Sequence, residues 1–213
     1  MVKQSSIFDK MHYIFWHPNQ LKEDQTYPTV IFCHGAGSRG PDEHALWNNP
    51  FFTCSEKHMQ NAICYAPRCD ADSWFDVYEQ LNAFIDFVIQ QPCVDKTRVY
   101  LMGASMGGYA VWQLAMSRPN LYAAIVPICG GGMYWNAPRL KNLPVWAFHG
   151  DRDDVVFLEE SQKMVNAVNR AGGDAKLTVC ENVCHNSWLN AYDSKELFDW
   201  LFAQSNTNKE RTP

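Results

Sequence analysis

Short, mainly apolar runs alternate with longer amphipathic stretches along most of the chain, and this limits the possible folds more than any other feature. The apolar runs fall at 13–16, 29–33, 62–66, 99–102, 124–128, 145–148 and 177–180. The central ones do not alternate apolar with polar residues, so both of their faces need cover, as in a parallel sheet packed between helices. Helices are predicted over 75–90, 106–117, 158–171 and 194–204. In the first of these, Leu81, Phe84, Ile85 and Val88 follow the i, i+3, i+4, i+7 spacing of one buried stripe. Strands separated by helices give an α/β protein with a mostly parallel central sheet.

The 213 residues suit one domain, which by size scaling buries about 70% of its unfolded surface. A single domain over 1–205 and a flexible tail over 206–213 are expected. Lys and Arg number 18 against 23 Asp and Glu, a balance that argues against a nucleic-acid partner, since phosphate binding needs clustered cations. No apolar run reaches the roughly 18 residues of a membrane span. Residues 1–6 carry a lysine but no apolar core before Asp9 and Lys10, so no secretory signal is read and a cytoplasmic location is expected. Cys33, Cys64 and Cys129 lie in or beside apolar runs, where a free thiol acts as a small hydrophobe. Cys180, Cys184 and His185 have a faint metal spacing but no second cluster to complete four ligands. No metal or cofactor is expected.

Gly103-Ala104-Ser105-Met106-Gly107 matches G-x-S-x-G between a predicted strand and a predicted helix. In that context the sharp turn lifts the serine hydroxyl above the carboxyl edge of the sheet, at a helix N-terminus that favours negative charge. Upstream, the strand over 29–33 runs into His34-Gly35-Ala36-Gly37, a turn able to aim a backbone N–H at a developing oxyanion. The Ala36 and Met106 N–H groups would form that pair. Downstream, the strand over 145–148 ends at His149-Gly150-Asp151-Arg152-Asp153-Asp154, and the last strand is followed by Cys184-His185. Serine, acid and histidine stand in the order of the α/β-hydrolase triad. A serine needs an imidazole to take its proton, and a carboxylate behind the ring fixes the tautomer and stabilises the imidazolium. Ser105, His185 and Asp153 suit these roles, although spacing alone leaves Asp151 and Asp154 open. His34 and His149 are read as structural; His12, His17, His44 and His58 as surface or satisfied loop residues. The irregular stretch 35–60 is read either as a functional loop or as an excursion whose aromatics complete the core.

The stretches VIFCHGAGSRG, YAPRCDADSWFD, DKTRVYLMGASMGGYAVWQLA, YAAIVPICGGG, VWAFHGDRDDVV and CHNSWLNAYDSKELFDWLFAQ span 29–204 in order. Together they resemble the α/β-hydrolases, in particular the small phospholipase/carboxylesterase-like or "predicted peptidase" branch related to prolyl oligopeptidases. The resemblance implies an α/β-hydrolase fold with helices on both sheet faces and little or no lid. It implies Ser105 as nucleophile, His185 as base and Ala36 and Met106 as oxyanion donors. It also implies Asp153 as the acid, four positions after the histidine of HGxxD. It puts Trp74 and Trp188 near the pocket. Two positions depart from many relatives: Cys184 stands where they have Gly, and Ser38 where they have Glu.

The function expected is hydrolysis of small carboxylic esters through an acyl-enzyme. Peptidase, thioesterase or lipase action would use the same machinery, and a non-catalytic binding protein is the remote alternative. The peptidases of this lineage use an additional domain to filter substrates, for which these residues leave no room. The expected partner is a small-molecule ester, and Tyr134 and Trp135 would suit either a pocket mouth or a homo-oligomer contact.

Overall fold

The computed structural model describes residues 1–207. Its strands are β1 (Val2–Phe8), β2 (Met11–His17), β3 (Tyr27–Cys33), β4 (Ile63–Pro67), β5 (Val94–Ala104), β6 (Ala124–Ile128), β7 (Val145–Gly150) and β8 (Ala175–Cys180). They form one eight-stranded sheet in the order β1-β2-β4-β3-β5-β6-β7-β8. β1 and β2 pair antiparallel, as do β2 and β4. Every pairing from β4 through β8 is parallel.

The pleat sends alternate strand residues into two cores, one on each face. Ile31, Leu101, Ile125 and Ala147 enter one, which is covered by α3 (Tyr78–Ile89), α4 (Met106–Ser117) and α5 (Leu158–Arg170). Phe32, Met102, Val126 and Phe148 enter the other. That face is covered by α1 (Glu43–Trp47), α2 (Pro50–Ser55), α6 (Trp188–Asp193) and α7 (Lys195–Ala203). The central runs of these four strands are therefore apolar on both faces, as the sequence pattern predicts.

The differences from the sequence reading lie where polarity hides the element. β1 reads VKQSSIF and shows no apolar alternation, because it is an exposed edge strand in a hairpin with β2. β5 starts at Val94 rather than 99 through a polar lead-in, Asp95 to Arg98. α3 starts at Tyr78 rather than 75, since Ser73 donates from both N and Oγ to the Asp76 carboxylate and closes a turn first. The stretch 35–60 is not one loop. It holds α1, α2 and two 3-10 turns, Ala36–Ser38 and Glu56–His58.

His17 is a further correction. It lies buried on β2 instead of in a surface loop, because the β1–β2 hairpin continues to its position. Asn206, placed at the head of the tail, is held by hydrogen bonds to the Thr97 and Asn120 carbonyls at 2.7 and 2.6 Å. The remainder of the tail, 208–213, lies outside the described residues. All eight cysteines are free thiols; Cys33, Cys64 and Cys129 are buried and Cys184 is exposed. Among the described residues no helix is long and apolar enough to cross a membrane.

Candidate active site

Ser105 sits between β5 and α4 at φ 56° and ψ −119°, a left-handed conformation that side chains rarely adopt. The turn is possible because the residue two positions on is glycine. A Cβ on Gly107 would lie 1.9 Å from the Cys33 carbonyl oxygen. The Ser105 N–H donates to the Ile128 carbonyl at 2.9 Å, and its own carbonyl accepts from Tyr109 N–H at 3.1 Å, which fixes the residue at the start of α4.

The loops after β7 and β8 supply Asp153 and His185. Gly150 lets them approach: a Cβ there would lie 2.2 Å from the Val183 carbonyl oxygen. Arg152 N–H donates to the Val183 carbonyl at 3.0 Å, and Val183 N–H donates back to Asp151 Oδ1 at 3.2 Å. Asp151 thus ties the two loops together, while Asp153 points inward. Asp153 Oδ2 lies 2.7 Å from His185 Nδ1, and His185 Nε2 lies 2.8 Å from Ser105 Oγ. Asp154 is exposed and makes no part of this relay.

Asp153 Oδ1 accepts from the Val155 and Val156 N–H groups at 3.0 and 2.9 Å. Burial by itself would push this carboxyl up. The hydrogen bonds from His185 and from the two amides outweigh it and hold the pKa below the usual carboxylate value. A second imidazole, His149, approaches Oδ2 at 3.3 Å. It is fully enclosed, with Nδ1 2.7 Å from Ser161 Oγ and Nε2 2.8 Å from the Val156 carbonyl oxygen.

The turn after β3 is built around another buried histidine. His34 Nδ1–H donates to the Gly35 carbonyl at 2.7 Å and Nε2 accepts from Cys69 N–H at 3.0 Å. Ala36 opens a 3-10 turn and Met106 opens α4, so neither N–H has an acceptor within its own helix. Gly35 brings the turn against the elbow, with its Cβ position 3.6 Å from Ser105 Cβ. Ser38 donates to the Ala45 carbonyl at 3.2 Å and accepts from Asn49 Nδ2 at 3.0 Å, pinning α1 and the start of α2 onto this turn.

A cleft of about 520 Å³ opens over the serine, and its wall includes Ala36, Asn49, Ser105, Val155, His185 and Trp188. Trp188 stands edge-on to the His185 ring, with centroids 5.4 Å apart. Trp74 is not in this wall. It is fully buried, and its indole N–H donates to the His34 carbonyl at 2.9 Å. It supports the turn from beneath, because that carbonyl is the acceptor its N–H finds inside the core. Asn48, Asn49 and Pro50 also stand at the cleft wall; the sequence reading left the stretch that carries them, 35–60, open between a functional loop and core cover and did not single them out as site residues. Their signal was present, since Asn-Pro marks a helix start with Asn as cap and Pro in the first turn; Asn49 Oδ1 accepts from Phe51 N–H at 2.9 Å.

Solved structures share this architecture. A thermostable esterase is 30% identical with a TM-score of 0.85, over 95% of this chain and 63% of that one. The chain has the α/β-hydrolase fold. Other solved structures are similar at lower identity. Est1E from Butyrivibrio proteoclasticus matches at 14% identity and TM-score 0.71, over 93% of this chain and 97% of that one. A ferulic acid esterase matches at 13% and 0.74, over 94% and 97%. The model of the prolyl oligopeptidase family matches residues 75–137, the segment containing the elbow. A bifunctional acetylxylan esterase/xylanase of Neocallimastix patriciarum is 30% identical over 160 residues, 67% of this chain. The chain spans about a quarter of that relative's length, 24%.

Proposed function

We propose that this chain is a serine carboxylesterase that cleaves small carboxylic esters through an acyl-enzyme on Ser105. The observation that carries the reading is the continuous relay from Ser105 Oγ through His185 to Asp153, with links of 2.8 and 2.7 Å. The ester carbonyl enters the cleft beside Ser105. As Oγ attacks, His185 Nε2 takes its proton, and Asp153 holds the opposite ring nitrogen and stabilises the imidazolium. The Ala36 and Met106 N–H groups receive the oxyanion, and the loss of one such donor typically costs about 3 kcal/mol. The imidazolium then protonates the leaving alcohol. Water, activated by the same ring, releases the acid and restores the serine.

The esterase names of the relatives support an ester over other acyl substrates. The prolyl oligopeptidase family match favours a second reading, a peptidase with the same three residues. Turnover of short p-nitrophenyl acyl esters and of blocked peptide p-nitroanilides separates the two. Ester cleavage that is abolished in Ser105→Ala, with anilides cleaved far more slowly, supports the carboxylesterase. Comparable anilide turnover transfers the case to the peptidase, and ester turnover unchanged in Ser105→Ala overturns both.

A further inference from the structure

One buried thiol stands behind the relay without a role in acyl transfer. Cys129 follows β6, is completely enclosed, and is held by its N–H donating to the Phe148 carbonyl at 2.8 Å. The Cys129 sulfur, a carboxylate oxygen of Asp153 and a ring nitrogen of His185 all lie within 4.8 Å of one another. Ser187 stands beside this cluster: its side chain is fully buried and within hydrogen-bonding reach of the Cys129 thiol.

We propose that Cys129, Asp153 and His185 Nδ1 form a binding site for a thiophilic divalent metal ion, of the Zn2+ or Cd2+ class, and that occupancy silences Ser105. The donor set is one soft sulfur, one imidazole nitrogen and one carboxylate oxygen, a combination suited to a tetrahedral ion with a fourth position open. Ligands around such an ion stand about 3.3–3.8 Å apart, so the sulfur must draw closer while the 2.7 Å contact of Asp153 Oδ2 with His185 Nδ1 opens. Ser187 Oγ is positioned to hydrogen-bond to the sulfur as it becomes a thiolate.

Binding releases one proton to solvent, from the Cys129 thiol, and moves the single ring proton of neutral His185 from Nδ1 to Nε2, so that sulfur, Nδ1 and a carboxylate oxygen all bond the ion. The metal then replaces the proton that joins His185 to Asp153. The silencing follows from the proposed relay. With the metal on Nδ1, His185 Nε2 carries the ring proton and has no lone pair left to accept the one from serine.

The test is a Cd2+ titration of the full chain, read by thiolate-to-metal ultraviolet absorbance, beside ester turnover with and without Zn2+. Each variant is compared with its own metal-free rate, and its fold is checked by thermal unfolding. Stoichiometric binding is expected, weakened tenfold or more in both Cys129→Ala and Cys129→Ser and retained in Cys184→Ala. Inhibition by Zn2+ should reverse with chelator and lessen in parallel in the Cys129 variants. Binding and inhibition unchanged in both Cys129 variants, or lost in Cys184→Ala alone, overturn the proposal. Should the chain turn over no ester, the carboxylesterase reading fails, and the absorbance titration alone decides the metal site.

Discussion

The indole N–H of Trp74 donates to the carbonyl of His34 at 2.9 Å, and the two rings lie 4.8 Å apart. This contact fixes the turn that carries Ala36 from beneath, inside the core. Trp74→Phe keeps most of the packing but leaves a buried carbonyl unpaired, at a cost of about 1–3 kcal/mol. Urea unfolding should show that loss. Ester turnover should fall through kcat more than through KM, since the turn carries Ala36, the proposed oxyanion donor, and Trp74 does not line the cleft.

His34 also makes folding sensitive to acid. Burial is the main cause that lowers its imidazole from 6.5 to about 4, against the opposing pull of its bond to the Gly35 carbonyl. The folded chain keeps the ring neutral while the unfolded chain binds a proton as pH falls below 6.5. Stability from this group is therefore complete above that value and lost on the way down to about 4. The full effect is about 3 kcal/mol. Urea unfolding followed across that window should give a shallower pH dependence in His34→Gln than in the parent chain.

Gly107 admits no side chain. A Cβ there meets the Cys33 carbonyl oxygen at 1.9 Å, a backbone atom that cannot swing aside. Gly107→Ala should cost more than the about 1–3 kcal/mol usual for an overpacked core. The expected result is little folded protein, or a midpoint in denaturant far below the parent's.

The three aspartates after β7 should separate cleanly by turnover. Asp153→Asn should lose about 10⁴-fold in kcat, because an amide opposite Nδ1 no longer enforces the tautomer or stabilises the imidazolium. Asp154→Asn should stay close to the parent rate, since that carboxylate is exposed and outside the relay. Near-equal losses in the two variants would contradict the assignment of the acid.

Much of this was legible in the sequence where burial is strong and local. β6, whose five residues are all buried, starts and ends where its apolar run does, because nothing polar blurs its limits. The Ser105 elbow was legible because strand, glycine spacing and helix follow one another directly. Choosing among Asp151, Asp153 and Asp154 was not possible from spacing, since that depends on which side chain the crossing β8 loop meets. Trp74 was misplaced for a related reason: a loop aromatic reads the same whether it points to a pocket or into the core. β1 escaped notice because an exposed edge strand carries polar residues, and α1 and α2 because five- and six-residue helices have too few turns to show a period.

The central claim is that Ser105 is the nucleophile of this relay. The most direct measurement is mass spectrometry of the chain after reaction with a fluorophosphonate, with the adduct mapped by peptide fragmentation. A single adduct on Ser105, absent in Ser105→Ala and formed orders of magnitude more slowly in His185→Ala, is the result predicted. An adduct on another residue, or labelling at the parent rate in Ser105→Ala, would contradict it.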